Sequence, residues 1–333
     1  MSMAMQPGEA RVDSAPRFPR QRKGISGRSI AILVFLSICA AFFCVPLYVI
    51  ITTSFKTMAQ IREGAIFSLP SPVTIEPWIN AWDNACSGIR CDGLKVGFWN
   101  SVAILFPSLA FSMVLSSVTG YALALWNVRW AGTFLFVLFI CAFVPFQIIM
   151  IPLIILSAGI KVYGTIWGIA IIHAVLSMPF LTLVFRNYYK GIPQEIMSAA
   201  MMDSGSFWRI FGEIIVPMSG NIFIVVLILQ VTSIWNDFLL GLTFGGLGTQ
   251  PMSVVLANVV ITTTGEAAYN ENMAAALLTA IPPLVIYFVL GKFFVQGITA
   301  GAIKGEGHAT GSIRRHHQEL RPAHGPEKSR PRD

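Results

Sequence analysis

The chain has 333 residues, 55% of them hydrophobic and only 12% charged, with a formal net charge of +7 at pH 7. So few charges cannot cover the surface of a soluble protein of this size, which leaves the lipid bilayer as the expected solvent. The basic excess sits beside apolar runs, where anionic lipid attracts it, so it calls for no nucleic-acid partner.

In chain order, residues 1–28 form a basic tail with almost no apolar periodicity and are expected to be disordered. The first apolar run, 30–51, exceeds the roughly 20 helical residues that cross about 30 Å of hydrocarbon. It is too long for a signal peptide and lacks a small-x-small cleavage pattern, so it reads as an anchor. The long loop 54–100 follows and holds Cys86 and Cys91. On the external face an oxidising compartment permits a disulfide between them, and two free thiols are the alternative. Further spans are expected at 101–126, 133–156 and 162–185. Cys39, Cys44 and Cys141 fall inside spans as small apolar packing residues. His173 in the fourth span is either a satisfied packing residue or a ligand or base.

Between the fourth span and the fifth, at 219–240, lies a polar island, the loop 187–218. Pro193 suits a first helical turn, and Glu195 there complements the positive end of the helix dipole. Ala199, Ala200 and Asp203 come next, then Ser204-Gly205, where glycine permits a chain reversal. A second short helix is predicted over 206–213. The expected unit is a helix-turn-helix on the membrane surface. Its small residues would let a partner's backbone approach, with Phe207, Trp208 and Phe211 as apolar anchors. A charge placed at Ala200 would then disturb docking and leave insertion intact. An amphipathic interfacial helix without a partner is the alternative.

Near the end of the fifth span, Trp235, Asn236 and Asp237 are adjacent. An ionisable group at that depth is expensive and commonly faces a polar path. Lining or gating of a pathway, direct contact with a sugar, and interface anchoring by the tryptophan all remain open. The run 251–261 is half a span, suited to an interfacial or re-entrant segment, and a sixth span is expected at 272–291. An odd number of crossings stays open. The tail 304–333 is expected to be disordered. It carries His308, His316, His317 and His324, as a solvated tract or a metal site.

Alternate loops, together with both ends, carry eighteen of the 23 Lys and Arg residues, which makes both termini cytoplasmic. No G-x-x-x-x-G-K-[ST], H-E-x-x-H, C-x-x-C or G-x-S-x-G occurs, so neither nucleotide hydrolysis nor a catalytic or metal site is expected on this chain. An ion-coupled secondary transporter using Asp237 or His173 is the competing class.

The island resembles the cytoplasmic coupling loop of permease subunits in bacterial binding-protein-dependent ABC importers, E-A-A, three residues, G, nine residues, I-x-L-P. Here it reads Ser198-Ala199-Ala200, Ser204, then Ile214 to Pro217. Ser198 replaces Glu, Ser204 replaces Gly with Gly205 beside it, and Val216 replaces Leu. Further tags are Asn100-Ser101, Tyr121 to Ala124, Pro145 to Gln147, Ile151 to Leu153, Trp235 to Phe238 and Gly297 to Gly305. Over residues 29–305 they make the chain similar to the sugar-transporting branch, near the shorter maltose permease. The resemblance implies an all-α membrane protein, six helices of the type I ABC importer permease fold over 29–303, in the bacterial inner membrane. It further implies a second permease subunit in a heterodimer, two ATPase subunits that bind ATP and Mg, and an external sugar-binding protein facing loop 54–100. Ser198, Ala199, Ala200, Asp203, Ser204, Gly205 and Phe207 would meet the ATPase. The segment 297–305 would be a second contact. The implied substrate is a mono- or disaccharide of the glucose or mannose kind.

Overall fold

The computed structural model describes residues 27–88, 90–261 and 267–292. Apart from Gly27 and Arg28, which begin the first helix, the two predicted tails, the four tail histidines and the segment 297–305 lie outside the described residues. All regular elements among the described residues are helical. The chain divides between Val49 and Ile50. The first unit is the body of α1 (Gly27–Ser54), whose Leu33, Phe35, Phe42 and Phe43 are exposed, as a helix in hydrocarbon requires.

The second unit begins with the end of α1 and a compact loop. α2 (Met58–Arg62) starts on a reciprocal cap: Gln60 N donates to Thr57 Oγ1, and Thr57 N donates to Gln60 Oε1. Lys56 is only 2% exposed, and its Nζ donates to the carbonyls of Ala65 at 2.9 Å and Ile66 at 3.2 Å. Its own carbonyl accepts from Asn270 Nδ2 at 3.0 Å. α3 (Glu76–Asp83) is tied to the last helix by Asn80 Nδ2 donating to Glu271 Oε1.

α4 (Leu94–Leu125) and α7 (Ile166–Tyr189) form the centre of this unit. Lipid tails are as apolar as leucine, so side-by-side helices in a membrane depend on close packing of small residues. Ser108, Ser112 and Ser116 recur at four-residue spacing on one face of α4, all fully buried, and Gly120 continues the row. A Cβ on Gly120 would stand 2.8 Å from Phe185 Cβ and 2.9 Å from the backbone N of Arg186. Ser108 Oγ donates to Ile104 O within its own helix, while Ser112 Oγ accepts from Gln230 Nε2 at 3.1 Å across to the fifth predicted span.

Several spans begin or end away from the expected positions, and the fifth ends at Trp235 instead of 240. α4 starts seven residues before 101, because Asn100 sits inside the helix with Nδ2 donating to the carbonyls of Gly248 and Gln250. α7 starts at Ile166, where Thr165 Oγ1 accepts from Gly168 N at 3.0 Å as an N-cap. The third span is not a straight rod. α5 (Ala131–Phe143) and α6 (Phe146–Gly159) meet at 101°. Pro145 has no N–H to continue the helix and forces the residue before it out of the α region, and Val144 has φ −67° and ψ 122°.

After the island come α11 (Gly220–Trp235), α12 (Leu239–Phe244), α13 (Met252–Ile261) and α14 (Tyr269–Lys292). α13 is the predicted half-span. It buries Met252, Val254, Val255 and Val259, and Met252 N donates to Ser101 Oγ of α4 at 2.8 Å. Among the described residues, four helices are long and apolar enough to cross a membrane, or six if each of two bent pairs is one span.

Candidate functional site

The polar island folds as α8 (Gln194–Asp203), a reversal at Ser204–Ser206, and α9 (Phe207–Ile210). The second helix does not stop at 213. It continues through a π-helical turn (Phe211–Ile215) into α10 (Val216–Met218) and meets α11 at 79°. Pro193 is the N-cap of α8, and Glu195 lies in its first turn. Gly205 has φ +62°, the left-handed region that favours glycine, while Ser204 has φ −130°. The reversal therefore needs glycine only at position 205, and serine fits at 204 without strain.

A buried cluster bolts this unit to the ends of α4 and α7: Tyr121, Phe185, Tyr189, Met197, Ala200, Ile210 and Ile215. The Tyr121 ring lies 4.7 Å from Phe207 and 5.3 Å from Phe211, and Trp126 lies 5.2 Å from Phe207. Tyr121 Oη donates to Phe207 O, and Tyr188 Oη to Met218 O. Two expectations change here. Ala200 is 3% exposed and shares an inward face with Met197, so its small side chain lets the island sit close on its own spans. Phe207 and Phe211 likewise pack inward. The outer face is made by Ser198, Ala199, Asp203 and Gly205, with Met202 83% and Trp208 66% exposed. Between the helices is a cleft of about 140 Å³ lined by Ala200, Asp203, Ser204, Arg209, Ile210, Glu213 and Ile214. Arg209 Nε lies 3.0 Å from Glu213 Oε2 at its rim, an exposed pair that contributes about 0.3–0.5 kcal/mol.

Trp235, Asn236 and Asp237 do not form one surface. Trp235 is buried, donating through Nε1 to Thr279 O of α14 at 2.9 Å and packing its ring 5.6 Å from Phe98. Asn236 is exposed. Asp237 heads α12: its Oδ2 accepts from Leu240 N at 2.9 Å and Gly241 N at 3.1 Å, and its carbonyl accepts from Ser253 Oγ of α13. The same Oδ2 lies 3.8 Å from His173 Nε2. α7 begins at Ile166 and not at the expected 162, so His173 lies two turns from its N-terminal end, at the end where Asp237 lies.

Cys86 and Cys91 are bonded, with Cα atoms 3.8 Å apart. The hairpin they close, with Ser87 N donating to Arg90 O, forms one wall of a pocket of about 400 Å³. Asn100, Leu247, Gly248, Gln250, Val255 and Asn258 line its other sides, and Arg90 Nε pairs with Asp92 Oδ2 at 3.1 Å on the hairpin side. Alkylation of the unfolded full-length chain is expected to leave Cys86 and Cys91 unmodified without reductant and to modify both after it. Equal modification in both conditions would remove the bridge.

The bundle and the island together define a class. A chain of a bacterial ABC transporter involved in the import of the acidic polysaccharide alginate superposes with a TM-score of 0.70, covering 84% of this chain and 100% of that one, at 19% identity. The fold is that of a type I ABC importer permease. The family of binding-protein-dependent transport system inner membrane components matches residues 112–300, and the chain belongs to that family. A probable ABC transporter permease protein of Pyrococcus horikoshii is 34% identical over 275 residues, 82% of this chain and 95% of that protein. The alpha-glucoside transport system permease protein of Rhizobium meliloti is 30% identical over 67% of this chain and 60% of that protein. The arabinooligosaccharides transport system permease protein of Halalkalibacterium halodurans is 28% identical over 81% and 94%. The chain is thus a multi-pass membrane transport subunit and not an enzyme.

Proposed function

We propose that this permease forms half of the pathway of an ATP-driven carbohydrate importer, with a second permease chain, two cytoplasmic ATPases that hold ATP and Mg, and an external sugar-binding protein. The permease domain is 29–303, with both tails on the cytoplasmic side. The observation that carries the reading is the island at 187–218, a rigid unit packed onto two spans that nonetheless leaves Met202 and Trp208 exposed. A self-contained transporter has no use for such a dock. An ATPase gripping this face would move α4 and α7 as it closes, because two states shift only by differential contact with a partner. The pocket beside the Cys86–Cys91 hairpin belongs to the face offered to the binding protein.

The substrate of this reading is a mono- or disaccharide. The glucose or mannose expectation stands beside the oligosaccharides named for the relatives, and both enter the test. Cells lacking the gene are given labelled glucose, mannose, maltose and arabinobiose. Uptake of at least one is expected to fall, to fall equally when the partner ATPase loses its P-loop lysine, and to survive a protonophore while ATP is maintained. Uptake that collapses with the ion gradient and persists without the ATPase would instead establish the secondary transporter.

A further inference from the structure

We infer that His173 is a positioning residue for the transport cycle: its imidazole engages the Asp237 carboxylate in one of the permease's two states and releases it in the other, which passes movement of the coupling loop to α12 and α13. The inference rests on the ATP-coupled reading above.

α7 is one helix from Ile166 to Tyr189, continuous through Pro179, and the island begins directly after it. The sixteen steps from His173 to Tyr189 span about 24 Å at 1.5 Å per residue. A displacement of the island's anchor is therefore delivered at His173 by a single element. At that end the imidazole is 6% exposed and faces the Asp237 carboxylate. Its Nε2 is 3.8 Å from Asp237 Oδ2, outside the roughly 2.7–3.2 Å of a hydrogen bond, so a shift of about 1 Å closes the contact.

Asp237 is placed to pass that shift on. Its carboxylate holds the first amides of α12, and its carbonyl holds Ser253 on α13. One residue thus joins α7 to two short helices, with the exposed Leu247 in the loop between them. The long contact contributes little in the state seen here, and the hydrogen bond made after the shift lowers the free energy of the other. That difference is what a two-state element requires.

The complete transporter is prepared with Cys39, Cys44 and Cys141 replaced by serine and Leu247→Cys as a reporter, leaving the Cys86–Cys91 bridge. Labelling by membrane-impermeant fluorescein maleimide is followed with and without ATP plus vanadate. The parent is expected to label at different rates in the two conditions. His173→Leu is expected to lose that difference, and His173→Gln, whose amide reaches the carboxylate, to keep it. His173→Leu should melt no lower than the parent, since the 3.8 Å contact it removes is not yet a hydrogen bond in this state; a structural contact would give a lower melting temperature. Nucleotide dependence in His173→Leu equal to the parent's overturns the inference, as does its loss in His173→Gln. A parent without any nucleotide dependence removes the ATP-coupled reading and this inference with it.

Discussion

Met202→Asp and Trp208→Asp are expected to abolish sugar uptake while the protein stays in the membrane at the parent's level, whereas Ala200→Asp is expected to deplete the folded protein itself. Met202 and Trp208 are 83% and 66% exposed, so a charge there leaves the chain's own packing untouched. A large exposed apolar residue at the centre of a docking face commonly contributes about 2 kcal/mol, roughly 30-fold in affinity, and a buried carboxylate in its place is worse. Ala200 lies at 3% exposure among Tyr121, Tyr189, Met197 and Ile210. An uncompensated charge in that cluster costs about 3 kcal/mol or more, a large part of ordinary stability. Immunoblots of washed membranes beside uptake assays separate the two effects. Normal uptake by both exposed-face variants would place the ATPase contact elsewhere, and a well-folded, inactive Ala200→Asp would restore that alanine to the contact.

Gly120→Val is expected to disrupt assembly of the bundle about as severely as any single change outside the island. Its Cβ would fall 2.8 Å from Phe185 Cβ and 2.9 Å from the Arg186 backbone. The second of those neighbours is main chain and cannot rotate away. Overpacking costs about 1–3 kcal/mol where side chains yield, and more where helices must separate. The opposing surface includes Thr182, Phe185 and Tyr189, so displacement of α7 also disturbs the cluster that seats the island. Detergent-solubilised Gly120→Val should unfold well below the parent in a thermal melt, with Gly120→Ala between them. A Gly120→Val melt matching the parent's would mean that α4 and α7 have slack.

Much of this was legible in the sequence because hydrocarbon imposes it. Length and charge depletion marked the apolar runs, and the E-A-A-like spacing marked the island. What was hidden is what depends on direction and depth. Small residues at 199 and 200 have the same composition whichever way they face. Only the i, i+3 relation to Met197 and the aromatic ends of α4 and α7 turn Ala200 inward and leave Met202 outside. Pro145 was visible, yet proline inside a span is common enough, as Pro107 and Pro179 show within unbroken helices, that a 101° break could not be assigned from it. The meeting of His173 and Asp237 joins two elements far apart in the chain, which neither the apolar runs nor the motif spacing relates.

Lys56 bears on how the opposite face meets a partner. With two carbonyls on its ammonium and Asn270 on its own carbonyl, it fixes the chain from 56 to 66 before anything arrives. An unfixed loop of that length would have to be frozen on contact, at about 0.5–1.5 kcal/mol for each immobilised side chain. Here that entropy is lost during folding, so the binding protein proposed for this face would meet a surface already set in shape. Its association is then governed by encounter and fit, with no wait for the loop to order.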